Sequence, residues 1–273
     1  MSDSTHTYDA KDLGKKHKQV GGSTEGGACL SRHDAGRHPG PEGRLKEHSC
    51  NHRWQGYKKA VDNSSQYKWT KPKRDKLGGS GRVKLPARCK SGWVTRTIPS
   101  GTEWDVETDP NFLTKCNRPY WHESHHIVPN GEFKGAISEV ADGQPMRPYY
   151  VKLIRNGLLG ESYNLNHKVN MIILPMPAKI AHALSLPRHR ISAGVISHKA
   201  YSNNVRARLD KIFKPVQDEV KAHRSADYHS CKADIEALSE DLYGKIVAAG
   251  KALGGGALDA MTPEQLGVAQ EAL

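Results

Sequence analysis

The sequence predicts an α+β fold, with short strands set among helices and a basic, Cys- and His-containing N-terminal region of short strands and loops in front. Three observations lead there. From residue 131 onward apolar residues recur at spacings of three and four; one short apolar run, "KVNMIILP", is closed by proline; and the first hundred residues combine turn-rich sequence with the whole of the net charge.

Taken in order, residues 1 to about 48 ("GGSTEGGACLSRHDAGRHPGPEGR" at their centre) are rich in Gly, His, Ser and charge, and read as a flexible lead segment. Residues 49 to 115 hold short apolar pieces between turn signals and read as short strands and loops with aromatic anchors. Residues 116 to 215 form the predicted core. There "GEFKGAISEVADG" and "PYYVKLIRNGLLG" each end near glycine and read as two helices, "KVNMIILP" as a buried strand, and "MPAKIAHALSLP" as a helix between prolines. "SHKAYSNNVRARLDKIFKPVQDEVKAH" offers Ser197 as an N-cap and keeps helical spacing through Tyr201, Val205 and Leu209. Residues 216 to 273 read as C-terminal helices: "KADIEALSEDLYGKIVAAGKAL", then a last short one starting at Thr262 before Pro263.

Composition narrows the function classes. The longest apolar runs, "MIIL" and "IVAA", are four residues each, against the roughly 20 that cross a bilayer. No membrane span is expected. The opening "MSDSTHTYDAKDLGKKHK" lacks an apolar h-region and does not read as a secretory signal. The net charge of +12 falls entirely in residues 1 to 100, with +11 in residues 51 to 100 alone. Such a block suits a polyanion, because lysine and arginine beside phosphates release condensed counterions. Trp54, Tyr57, Tyr67, Trp69 and Trp93 are interleaved with it, either as stacking surfaces for bases or as a small core.

The cysteines Cys29, Cys50, Cys89, Cys116 and Cys231 are odd in number and irregular in spacing, so reduced thiols are expected. The first four lie among His33, His38, His48 and His52, a set that could hold a structural zinc in the N-terminal half.

The pair His125 and His126 stands in "NRPYWHESHHIVPN". With 15 histidines in the chain, about one adjacent pair is expected by chance, so the doublet needs partners before it means anything. On an extended segment neighbouring side chains point to opposite sides, so one imidazole can face a metal while the other faces a water. Phosphodiester cleavage needs that division: a general base for the water, and positive charge for the phosphate and departing oxygen. Further along, Asn170 precedes "MIILP", and His198, with His182 and His189 upstream, opens a helix.

The succession "SHHIVP" (124 to 129), "NMIILP" (170 to 175) and "SHKAYSNNVRARL" (197 to 209) resembles the HNH/endonuclease VII superfamily of nucleases, in particular its AHH branch. The resemblance spans residues 116 to 215. It implies a ββα-metal (His-Me finger) nuclease core, with His125 and His198 as metal ligands, His126 as general base and Asn170 fixing the geometry that orients it. Two positions depart from the pattern. Ser124 stands where the branch has alanine, and Gly194 where the family often has a second histidine, four residues before the late one. His189, nine residues upstream of His198, is read as that ligand displaced.

The resemblance further implies a divalent metal, magnesium or zinc first, and DNA as substrate. Many members look like polymorphic toxins exported by contact-dependent or type VI secretion systems and neutralised by a cognate immunity protein. A chain of that kind stays cytoplasmic in its producer, is secreted without a signal peptide and acts in the cytoplasm of a target cell. Two other readings fit the same residues: a zinc-stapled nucleic-acid-binding protein without catalysis, and an RNase using the same site. His182 and His229 are expected to be ordinary helix or surface residues.

Overall fold

A computed structural model describes residues 27–32, 50–68, 106, 112, 120–190 and 198–267. In chain order they form α1 (His52–Asp62), α2 (Ser64–Tyr67), β1 (His122–His126), α3 (Asn130–Val140), α4 (Arg147–Gly160), β2 (Met171–Pro175), α5 (Ala178–Leu184), α6 (Lys199–Lys221) and α7 (Tyr228–Leu253). Single 3₁₀ turns occupy Lys168–Asn170 and Leu258–Ala260.

The strands β1 and β2 pair antiparallel, with His125 opposite Ile172 and His126 opposite Met171. All five residues of β2 are buried, because the sheet is covered on both faces. Its side chains alternate accordingly. Ile172 and Leu174 enter a large core shared with α3, α4, α6 and α7, while Ile173 enters a smaller one with Tyr67, Phe112, Tyr120 and Ile180.

The large core follows from helical periodicity. Helix α6 buries Tyr201, Val205, Leu209, Phe213, Val216 and Val220, one stripe at steps of three and four, against Phe133, Ala136, Ile137 and Val140 of α3. Helix α7 adds Cys231, Ile235, Leu238, Leu242 and Ile246. Asp227 caps it through the Ser230 amide, and Gly254 ends it at φ +54°, a conformation glycine adopts without strain.

Several expectations change here. The predicted strand-and-loop character of residues 49 to 115 fails where the chain is described, since residues 52–62 and 64–67 are helical. Asn51 starts α1, its Oδ1 accepting from the amides of Arg53 and Trp54. The helix then buries His52, Gln55, Gly56 and Ala60 along one side, a helical period that the charges between them obscure. Gly56 permits a close approach: a Cβ there would lie 2.8 Å from Ser124 Oγ, so α1 packs directly on the hairpin.

Within the lead segment, residues 27–31 are buried, and Ala28 and Leu30 join the large core. The division at 215/216 falls inside α6, which runs unbroken through Pro215. The last predicted helix does not form over residues 262–267, of which 263–267 are turn; Leu266 packs into the core instead. Of the proposed aromatic set, Tyr67 is core, while Trp69 and Trp93 lie outside the described residues, as does Ser197. Cys29, Cys50 and Cys231 are in no disulfide, as expected; Cys89, Cys116, His33, His38 and His48 lie outside the described residues. No helix among the described residues is long and apolar enough to cross a membrane.

A candidate metal centre on the hairpin

The two histidines of the doublet face opposite sides of the hairpin. The His125 ring packs against His189, His198 and Tyr201, while the His126 ring stacks on His52 of α1 at a centroid distance of 5.4 Å and an interplanar angle of 28°. This is the alternation expected of an extended segment.

Three separate elements bring His125, His189 and His198 together. His125 sits on β1. His189 follows α5 and is pinned by its own amide, which donates to the carbonyl of Pro175 at the end of β2 at 2.8 Å. His198 is the N-cap residue of α6 but makes no side-chain cap bond. Asp259, far along the chain, caps α6 in its place: its Oδ1 accepts from the amides of Ala200 at 2.8 Å and Tyr201 at 3.1 Å. The His198 imidazole is thereby left to turn toward the hairpin.

The Tyr201 hydroxyl then donates to the carbonyl of Ile127 at 2.6 Å, tying the first turn of α6 to the end of β1.

The nitrogens lie close enough together that they could hold one ion. Nδ1 of His125 and Nε2 of His198 each lie 3.0 Å from Nε2 of His189, and the three ligand atoms all lie within 4.8 Å of one another. The other nitrogen of His189, Nδ1, lies 2.8 Å from a carboxylate oxygen of Glu123. A carboxylate oxygen cannot donate, and its charge at this distance favours the proton of His189 on Nδ1, which leaves Nε2 with a lone pair. One lone pair cannot serve two linear N–H donors.

A cation resolves this arrangement, since two nitrogens each about 2.1 Å from one ion stand about 3.0–3.4 Å apart. The group could therefore hold a divalent metal ion. The other nitrogen of His125, Nε2, is buried with no hydrogen-bond partner among the described residues.

Electrostatics agree with that fit. Burial, and then the neighbouring His189 and His198, hold His125 well below the ordinary imidazole range. Burial pushes His198 down to about 4, with Arg190 acting in the same direction. Both rings are neutral at pH 7 and can donate lone pairs. Arg190 Nη2 also lies 2.5 Å from the Glu123 oxygen that faces His189.

His126 has a different environment. Its Nε2 lies 2.9 Å from Oδ1 of Asn166. Burial lowers it to about 4, against the raising effect of that hydrogen bond, so it too is neutral and able to accept a proton. Arg32 is solvent-exposed, and its charge acts on both His125 and His126.

The Asn170 side chain makes its hydrogen bonds to backbone groups and to a serine rather than to an imidazole. Its Oδ1 accepts from the Val128 amide at 2.6 Å and from Ser239 Oγ at 3.1 Å, and its Nδ2 donates to the carbonyls of Val128 at 3.2 Å and Leu165 at 2.9 Å. It locks the segment leaving β1 to the segment entering β2.

Sequence reasoning missed Glu123, Asn166 and Asp259, and it named His52 only as a candidate for an N-terminal zinc, whereas its ring stacks on His126. Glu123 had a usable signal, because it stands two residues before His125 and shares its face of the strand. Asn166 lies in the polar stretch "NLNHKVN", where nothing local separates it from Asn164. His52 and Asp259 reach the site only through tertiary packing. His182 is exposed on α5, and His229 is exposed beside Glu161. Comparison with protein-family models, with curated proteins and with solved structures returns no match to the chain.

Proposed function

We propose that the chain is a metal-dependent endonuclease that hydrolyses phosphodiester bonds in DNA. One observation carries this reading: three imidazole nitrogens lie within 4.8 Å of one another, and a fourth, neutral imidazole occupies the adjoining residue of the same strand. His125, His189 and His198 would hold the metal, with Glu123 orienting His189. A divalent ion there supplies positive charge to the phosphate and the departing oxygen. His126 takes a proton from the attacking water as its oxygen bonds to phosphorus, and the P–O ester bond opposite breaks. Arg32 adds positive charge beside both histidines, where the phosphate would lie.

An all-imidazole set favours borderline ions such as Zn²⁺ or Ni²⁺ over Mg²⁺, which takes oxygen ligands. The basic block at residues 51–100 grips the polyanion. In cells we read the protein as an antibacterial effector held in check by an immunity protein, delivered by a secretion system and acting in the target cytoplasm.

The test is direct. Purified protein is incubated with plasmid and with total RNA, each with Mg²⁺, Mn²⁺, Ni²⁺, Zn²⁺ or chelator. Metal-dependent nicking of plasmid, lost in His126→Ala, is the expected result. Cleavage of RNA alone would make the chain an RNase, and binding that persists in chelator with no cleavage under any metal would leave a nucleic-acid-binding protein.

A further inference from the structure

A hydrogen-bond relay runs from the N-terminal segment to His126, and its direction is fixed at one end. Residues 28–30 lie along the turn that follows α4: the Cys29 amide donates to the Tyr163 carbonyl at 3.0 Å, and the Cys29 carbonyl accepts from the Leu165 amide at 2.7 Å. Ser31 is thereby placed so that its carbonyl accepts from Nδ2 of Asn166 at 2.9 Å. Just beyond, the Arg32 amide donates to Oδ1 of Asn130 at 3.3 Å, holding the segment at its other end. The contact between Ser31 and Asn166 joins residues 135 positions apart.

A backbone carbonyl only accepts, so the amide nitrogen of Asn166 must face Ser31 and its oxygen must face away. The Asn166 oxygen therefore meets Nε2 of His126, and that oxygen cannot donate. The shared proton belongs to His126.

We propose that residues 27–32 form a strap that fixes the tautomer of His126 through Asn166, placing the proton on Nε2 and the reactive lone pair on Nδ1. Asn166 is a positioning residue: it acts on the reaction only through the imidazole it orients. The stacked ring of His52 holds the plane of the His126 imidazole, and the relay sets which nitrogen is basic. The inference rests on the proposed role of His126 as the base, but the tautomer is measurable without any cleavage.

The experiment uses the full chain with ¹⁵N-labelled histidine, the His126 resonances being identified by their loss in His126→Gln. At pH 7 His126 is expected as a single Nε2–H tautomer. In Asn166→Leu, which has the size of asparagine and no acceptor, the signal is expected to become a mixture of tautomers. In the same variant kcat on plasmid falls about 10- to 100-fold, with KM and metal affinity little changed. Asn166→Asp keeps an acceptor at Nε2 and is expected to restore the tautomer.

An Nδ1–H tautomer in the unmodified protein overturns the inference outright, whether or not the variants fold. So does an unchanged tautomer in folded Asn166→Leu. If the Nε2–H tautomer is found and no nucleic acid is cleaved, the strap stands and the nuclease reading falls.

Discussion

The helical layer and the hairpin are held together by different physics. Between α3, α6 and α7 the contacts are apolar stripes, each at local helical spacing, and any one side chain has many neighbours to share its loss. Around β1 the contacts are polar and directional, and each is made with a residue far along the chain: His125 with His189, His126 with Asn166, Asn170 with Val128. Losing an atom from the first region costs packing. Losing one from the second leaves a buried polar group without its partner.

The contrast is broken most sharply at the site itself. His126→Ala is expected to lower cleavage by about 10²–10⁴-fold while leaving metal affinity intact, whereas His189→Ala abolishes metal binding measured by titration calorimetry, and cleavage with it. In the helical layer, Leu209→Ala should cost about 2–5 kcal/mol in urea unfolding and leave the metal affinity of the folded protein unchanged. Asn170→Ala sits between the two, because its four hydrogen bonds join the segments flanking both strands. It is expected to cost about 2–4 kcal/mol and to weaken cleavage as well.

Acid separates the regions too. Burial pushes His122, whose Nδ1 faces the Tyr120 carbonyl, down to about 4. An unfolded histidine binds its proton near pH 6.5, so lowering the pH favours the unfolded chain, and stability present above that value is lost as pH falls toward 4. For His122 the loss in metal-free protein is about 2 kcal/mol between pH 7 and 5, and His122→Gln should flatten that slope. The smallest effect is expected from Asp259→Ala, about 0.5–2 kcal/mol for a lost cap, with metal affinity reduced because the cap sets where His198 sits.

What could be read from the sequence follows the same division. The stripe Tyr201–Val205–Leu209 and the alternation that sends His125 and His126 to opposite faces are local periodicities, and both appear in the fold. The helix at residues 52–62 was hidden, because Arg53, Lys58 and Lys59 interrupt its buried side with charges that the packing tolerates; Lys59 lies 4.4 Å from the Tyr243 ring centre. Asn166 and Asp259 were hidden for another reason, and Glu123 was legible only through its place on the face of His125. Carboxylates and amides carry no periodic signature, and their partners lie tens of residues away or more.

The first turn of α6 is located twice over, by Asp259 at its amides and by the Tyr201 hydroxyl at the carbonyl of Ile127. Both anchors act on α6 itself, so the place of the His198 ring follows from what its helix meets: Asp259 from later in the chain and the Ile127 carbonyl at the exit of β1. A search for chains with the same three imidazoles is therefore better keyed to Tyr201 and Asp259 together with the histidines than to the histidines alone.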